Sequence, residues 1–174
     1  LRKYTTLLPG AAKCSIELRK RGIKIGSSTG FLRAMVEILA ADAKKQGFVM
    51  DAAVAGDDVV HGARPKPFMV FRNMDLMDVH PVQSIVKVDD TTSGIGEALE
   101  AGCWGVGVSL YSNYMNINSL AEAKKMPKKE IDRRNQITKE ILQKAGAHYV
   151  IDSIAELPKV IDDINKRLAR GERP

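Results

Sequence analysis

Apolar positions along the chain follow two alternating rhythms. Short apolar runs bounded by glycine or polar residues read as strands. They are "IKIGS" (23–27), "AAVAG" (52–56), "SIVKV" (84–88), "CWGVGV" (103–108) and "AHYVI" (147–151). Between them apolar residues recur every three or four positions, the spacing of one helix face. Helices are predicted over "AAKCSIELRKRG" (11–22), "GFLRAMVEILAADAKKQG" (30–47), residues 67–77, "SGIGEALEAG" (93–102), residues 128–145 and "SIAELPKVIDDINKRLARG" (153–171). Gly22 and Gly47 stop the first two, and Pro65 and Pro67 set the start of the third. Strands joined through helices imply right-handed crossovers. The expected fold is α/β, a three-layer Rossmann-like parallel sheet with helices on both faces.

Such sheets bind ligands beyond the carboxyl ends of their strands, so functional residues should follow "IKIG", "AAVAG" and "IVKV". After the first come Ser27, Ser28, Thr29 and Gly30, hydroxyls expected to open a helix and suited to a phosphate or phosphonate oxygen. They also suit an ordinary N-cap. After the second, "GARPKP" holds Arg64 in a proline-stiffened loop, with Lys66 as its rival for pairing with an oxyanion. After the third stand Asp89 and Asp90, adjacent carboxylates that suit a hard cation such as Mg²⁺. One of them could instead cap the next helix, as could Thr91, Thr92 or Ser93.

With 174 residues, 44% of them hydrophobic and 28% charged, the chain has the composition of one soluble domain. No apolar run reaches the length of a membrane span, and charges with Pro9-Gly10 interrupt the opening stretch where a signal peptide would be apolar. The two cysteines, Cys14 and Cys103, lack metal-ligand spacing and read as buried thiols of a reducing compartment, so a cytoplasmic protein is expected. The net charge of +6 is spread among acids, and "KKMPKKEIDRR" (124–134) reads as a solvated helical face. A small anionic substrate suits that field, and no nucleic-acid or membrane partner is expected.

Hydroxyls, then a cation, then acids at successive strand ends form a layout that resembles the haloacid dehalogenase superfamily. The wording of "GIKIGSSTGFLRAM", "DDVVHGARPKPFM", "IVKVDDTTSGIGEALEAGCWGVGV" and "AGAHYVIDSIAELPKVI" resembles the phosphonoacetaldehyde hydrolase (phosphonatase) family within it, from about Tyr4 to about Leu168. The resemblance implies that Arg64 is the cationic catalytic residue, and that Ser27 or Thr29 contacts the phosphoryl group together with Arg64. It also implies that Asp90 helps bind Mg²⁺, with Asp89 as second candidate where other members have glycine. Many members carry a further acid at the position of Gly94. The implied reaction is hydrolysis of phosphonoacetaldehyde to acetaldehyde and phosphate, through a lysine imine and an aspartyl-phosphate, in a homodimer.

The family's nucleophilic aspartate motif and the cap domain with its imine-forming lysine have no counterpart in these residues. Lys24 and Lys87 lie in core strands and suit imine formation poorly. Residues 1–174 are therefore expected to be a core domain, incomplete at its N-terminus and lacking the cap. Two other readings stay open: a related phosphatase or phosphomutase acting on a small phosphate ester, and an inactive anion-binding or assembly module.

Overall fold

The computed structural model describes residues 5–174. Five strands, β1 (Gly26–Ser28), β2 (Ala52–Val54), β3 (Val86–Asp89), β4 (Trp104–Val108) and β5 (Tyr149–Ile151), alternate with seven α-helices. These are α1 (Ala11–Lys20), α2 (Arg33–Lys45), α3 (Phe68–Met77), α4 (Thr92–Ala101), α5 (Leu120–Lys125), α6 (Lys128–Lys144) and α7 (Leu157–Ala169). Every strand pair is parallel, as the crossover pattern requires.

The strands do not join into one sheet, however. β1 pairs only with β2, and the other three form a separate sheet in the order β3-β4-β5. The helices lie on both sides. Trp104, Val106 and Val108 of β4 pack with Cys14 and Leu18 of α1 and with Val160, Ile161 and Ile164 of α7. On the opposite face β4 carries Gly105 and Gly107, and a Cβ there would sit 3.3 Å from Ala98 of α4 and 3.1 Å from Leu142 of α6. Alternate glycines thus let two helices approach one face of the strand while large residues fill the other.

Two local expectations need correction. The hydroxyl run does not open a helix: Ser27 and Ser28 lie in β1, and α2 begins only at Arg33, after Leu32 in extended conformation. The basic stretch at 124–134 is split by Pro127 into the end of α5 and the start of α6. Its exposed lysines do form a solvated face, while Asn135, Thr138 and Leu142 turn inward. Both cysteines are buried and free, and burial pushes the Cys103 thiol up to about 11. No described helix is long and apolar enough to cross a membrane.

Candidate functional site

The site is built on the carboxyl end of β3. Asp89, the last residue of that strand, is 9% exposed. Its Oδ2 accepts a hydrogen bond from the Arg64 guanidinium at 2.8 Å and lies 3.2 Å from the Lys87 ammonium. Its Oδ1 accepts from the Thr91 amide at 3.0 Å and the Thr91 hydroxyl at 2.7 Å. Burial pushes the Asp89 carboxyl up, but Lys87, Arg64 and Thr91 together pull harder and hold it below the ordinary carboxylate range. Thr91 also caps α4, its hydroxyl accepting from the Gly94 amide at 3.0 Å. The carboxylate therefore ties the loop after β2, the end of β3 and the start of α4 to one point.

Lys87 extends the cluster in two directions. Its ammonium donates to the Ser28 hydroxyl of β1 at 2.6 Å, linking the two sheets, and lies 3.0 Å from Oε2 of Glu97 on α4. Glu97 is fully buried, and Arg64 Nε is 4.0 Å from the same oxygen. Neither Glu97 oxygen has a well-aligned hydrogen bond among the described residues, so its charge is offset through space by Lys87 and Arg64. Two cations and two carboxylates thus form one low-exposure network.

Asp90 differs from its neighbour. No ion pair reaches its carboxylate among the described residues, and burial followed by the adjacent Asp89 charge pushes its pKa up. Its main-chain oxygen accepts from the Ser112 hydroxyl at 2.6 Å, which anchors the loop after β4. A half-buried carboxylate outside any direct ion pair fits a hard cation. No group of three metal-ligating side chains is gathered among the described residues, so a bound Mg²⁺ would keep several waters or take ligands from elsewhere.

Of the sequence candidates, the structure joins Arg64 and Asp89 by direct contact and places Asp90 next in the chain. Ser27 lies alongside in β1, its carbonyl accepting from the Asn73 side chain at 2.9 Å. The Thr29 hydroxyl accepts from the Phe31 amide at 3.2 Å, closing its own turn. Lys66 donates to the His61 carbonyl at 2.8 Å and so braces its own loop. Sequence reasoning passed over Lys87 and Glu97 as site members, and it offered Ser28 to a phosphoryl oxygen where the structure gives it to Lys87. The signal was present for Lys87, a lysine in the middle of an otherwise apolar strand, because such a charge must meet a partner.

With this geometry in view, comparison with known proteins places the chain. No family model matches. Over 171 residues it is 42% identical to a phosphonoacetaldehyde hydrolase from Klebsiella pneumoniae and 40% identical to one from Paraburkholderia xenovorans. Each match takes in 98% of this chain but 63% of the relative, so the chain spans less than two thirds of their length. The crystal structure of a phosphonoacetaldehyde hydrolase-like protein from Oleispira antarctica superposes with a TM-score of 0.93 at 39% identity, covering 98% of this chain and 61% of that one. A putative β-phosphoglucomutase from Thermotoga maritima shares the fold alone, with a TM-score of 0.64 at 20% identity over 93% of this chain and 64% of that one. The chain has the haloacid dehalogenase-like fold. Its homologues in sequence are proteins named phosphonoacetaldehyde hydrolase.

Proposed function

We propose that this chain supplies the phosphoryl-binding part of an enzyme that hydrolyses phosphonoacetaldehyde to acetaldehyde and phosphate. The observation that carries the reading is the convergence of Arg64 and Lys87 on Asp89, beside Asp90, whose carboxylate has no ion pair among the described residues, at the strand ends. The relatives' names supply the substrate.

In this reading Arg64 offers guanidinium donors to the phosphonate oxygens while Asp89 fixes its direction. Fixed cations at the place where phosphoryl charge builds lower the barrier without reorganising. Ser27 or Thr29 adds a hydroxyl donor, and Ser28 is already committed to Lys87. Lys87, held between Asp89 and Glu97, keeps positive charge in place and is poorly disposed to act as an imine-forming amine. Asp90 is the principal candidate to hold Mg²⁺, with Asp89 second because Arg64 and Lys87 already engage it. Such an ion supplies neutralisation of phosphoryl charge. The attacking aspartate and the lysine that condenses with the aldehyde would come from the part of the relatives' length that this chain does not span. A departing carbon needs the electron sink that a protonated imine provides.

A ³¹P NMR titration of methylphosphonate into the chain, with and without Mg²⁺, tests the binding role. Broadening that weakens roughly tenfold in Arg64→Ala is expected, the size of effect a charge-assisted pair gives. Identical titrations of the two proteins would overturn the assignment of Arg64.

A further inference from the structure

Between β4 and α5 the chain does more than connect two elements. The loop at residues 109–116 reaches back to the segment that follows β3. Ser112, 3% exposed, donates its hydroxyl hydrogen to the Asp90 carbonyl at 2.6 Å and accepts from the Tyr114 amide at 3.2 Å. Tyr114 reaches two residues further. Its hydroxyl oxygen accepts from the Thr92 amide at 3.2 Å and lies 3.0 Å from the Thr92 hydroxyl. The loop therefore grips the main chain at Asp90 and again at Thr92. Burial and then the Asp89 charge push the Asp90 carboxyl up, and the Asn113 amide is among the groups acting against them, so this N–H faces the carboxylate.

The grip is itself held at both ends. At the start of the loop the Ser109 and Leu110 amides donate to the Ile151 and Asp152 carbonyls at 2.9 and 3.1 Å. The buried Ser109 hydroxyl donates to Oδ1 of Asn135 on α6 at 2.6 Å. At the end of the loop the preceding α6 residue, Arg134, donates through Nη1 to the Met115 and Asn116 carbonyls at 3.1 and 2.9 Å. Glu130, one turn earlier on α6, accepts from Arg134 Nε at 2.8 Å and fixes the guanidinium. Two consecutive α6 side chains thus secure opposite ends of the loop. Satisfying loop carbonyls would by itself account for Arg134. It does not account for Ser112 and Tyr114, whose hydroxyls are spent on a different segment.

We infer that Ser112 and Arg134 are positioning residues for Asp90. Ser112 fixes the Asp90 main chain directly, and Arg134 holds the loop that carries Ser112. A fixed main chain leaves the Asp90 carboxylate one direction in which to meet a cation, and partners outside a metal's own ligands set affinity in this way. The effect on metal affinity rests on the reading of Asp90 as the Mg²⁺ residue, whereas the effect on Asp90 geometry does not.

The test measures two quantities on the 174-residue chain: Mg²⁺ affinity by titration calorimetry, and the Asp90 χ1 angle from NMR couplings to its carboxyl carbon. Ser112→Ala is expected to weaken Mg²⁺ binding by roughly tenfold and Arg134→Met by less, the lower end of what outer partners of a metal ligand contribute. In both variants Asp90 should pass from one χ1 rotamer to an average of several. Circular dichroism establishes that each variant is folded, and if Ser112→Ala does not fold, Arg134→Met carries the same two readings. Folded variants whose Asp90 keeps a single χ1, or whose Mg²⁺ affinity equals that of the native chain, would overturn the inference. A native chain that binds no Mg²⁺ would instead overturn the metal reading of Asp90, and χ1 alone then decides the positioning role: averaging in the variants upholds it and unchanged couplings overturn it.

Discussion

The Asp89 carboxyl group fills the space that any side chain at position 94 would need. A Cβ placed on Gly94 would lie 1.8 Å from Asp89 Cγ and 2.1–2.2 Å from its oxygens. Residues 89 and 94 are therefore mutually exclusive in size, and the glycine and the aspartate are one arrangement. Gly94→Ala is expected to destabilise the chain by about 2–3 kcal/mol, the cost of overpacking against a fixed group. In an Asp89→Gly background the same change should cost far less. A urea double-mutant cycle checks this, and additive losses would contradict the steric relationship.

Asp90 carries the opposite electrostatic sign of effect from Asp89. Its folded pKa lies above its unfolded one, so its contribution is fully present below the unfolded pKa near 4 and is lost as pH rises through the folded value. At neutral pH the charged carboxylate therefore destabilises the fold. Asp90→Asn should raise the melting temperature at pH 7 by about 2–4 °C, the shift that 1 kcal/mol gives a chain of this size. The gain should shrink as pH falls below about 4. Added Mg²⁺ should stabilise the native chain and leave the asparagine variant unmoved, a comparison that thermal melts read directly.

For Asp89 the sign reverses. Its folded pKa is depressed, so its stabilisation is present above the unfolded pKa and disappears as pH drops through the folded one. Acid titration of the chain followed by circular dichroism should show loss of stability below about pH 4 that is blunted in Asp89→Asn.

The buried pair Lys87–Glu97 gives a separate check on the network. Lys87→Met leaves the fully buried Glu97 facing only the more distant Arg64, and a loss of roughly 3–5 kcal/mol is expected. Lys87→Met with Glu97→Leu should recover most of that loss, because the pair is removed together. Equilibrium urea unfolding of the single and double variants decides.

Much of this was legible in the residues. Strand and helix rhythms located β1 to β5 and most helices, because buried parallel strands are short apolar runs and crossover helices are amphipathic. The strand-end rule pointed to Arg64, Asp89 and Asp90 for the same reason. The division into two sheets was not legible, since apolar runs reveal strands and not their neighbours in space. Nor was the start of α2, where Ser27 and Thr29 looked like caps but the chain stays non-helical until Arg33. The consequence of Gly94 was hidden too, because only the folded course of the loop after β3 brings the Asp89 side chain over it.

The chain by itself is expected to release no acetaldehyde from phosphonoacetaldehyde above background, since no carboxylate among the described residues is disposed as the attacking group. The most direct measurement replaces the matched 171 residues of the Klebsiella pneumoniae relative with the corresponding residues of this chain and assays acetaldehyde release. The chimera should turn over, and its Arg64→Ala form should fall by roughly two to three orders of magnitude, as loss of a fixed charge at a developing oxyanion does. A folded chimera that releases no acetaldehyde, or one indifferent to Arg64→Ala, would contradict the proposed function.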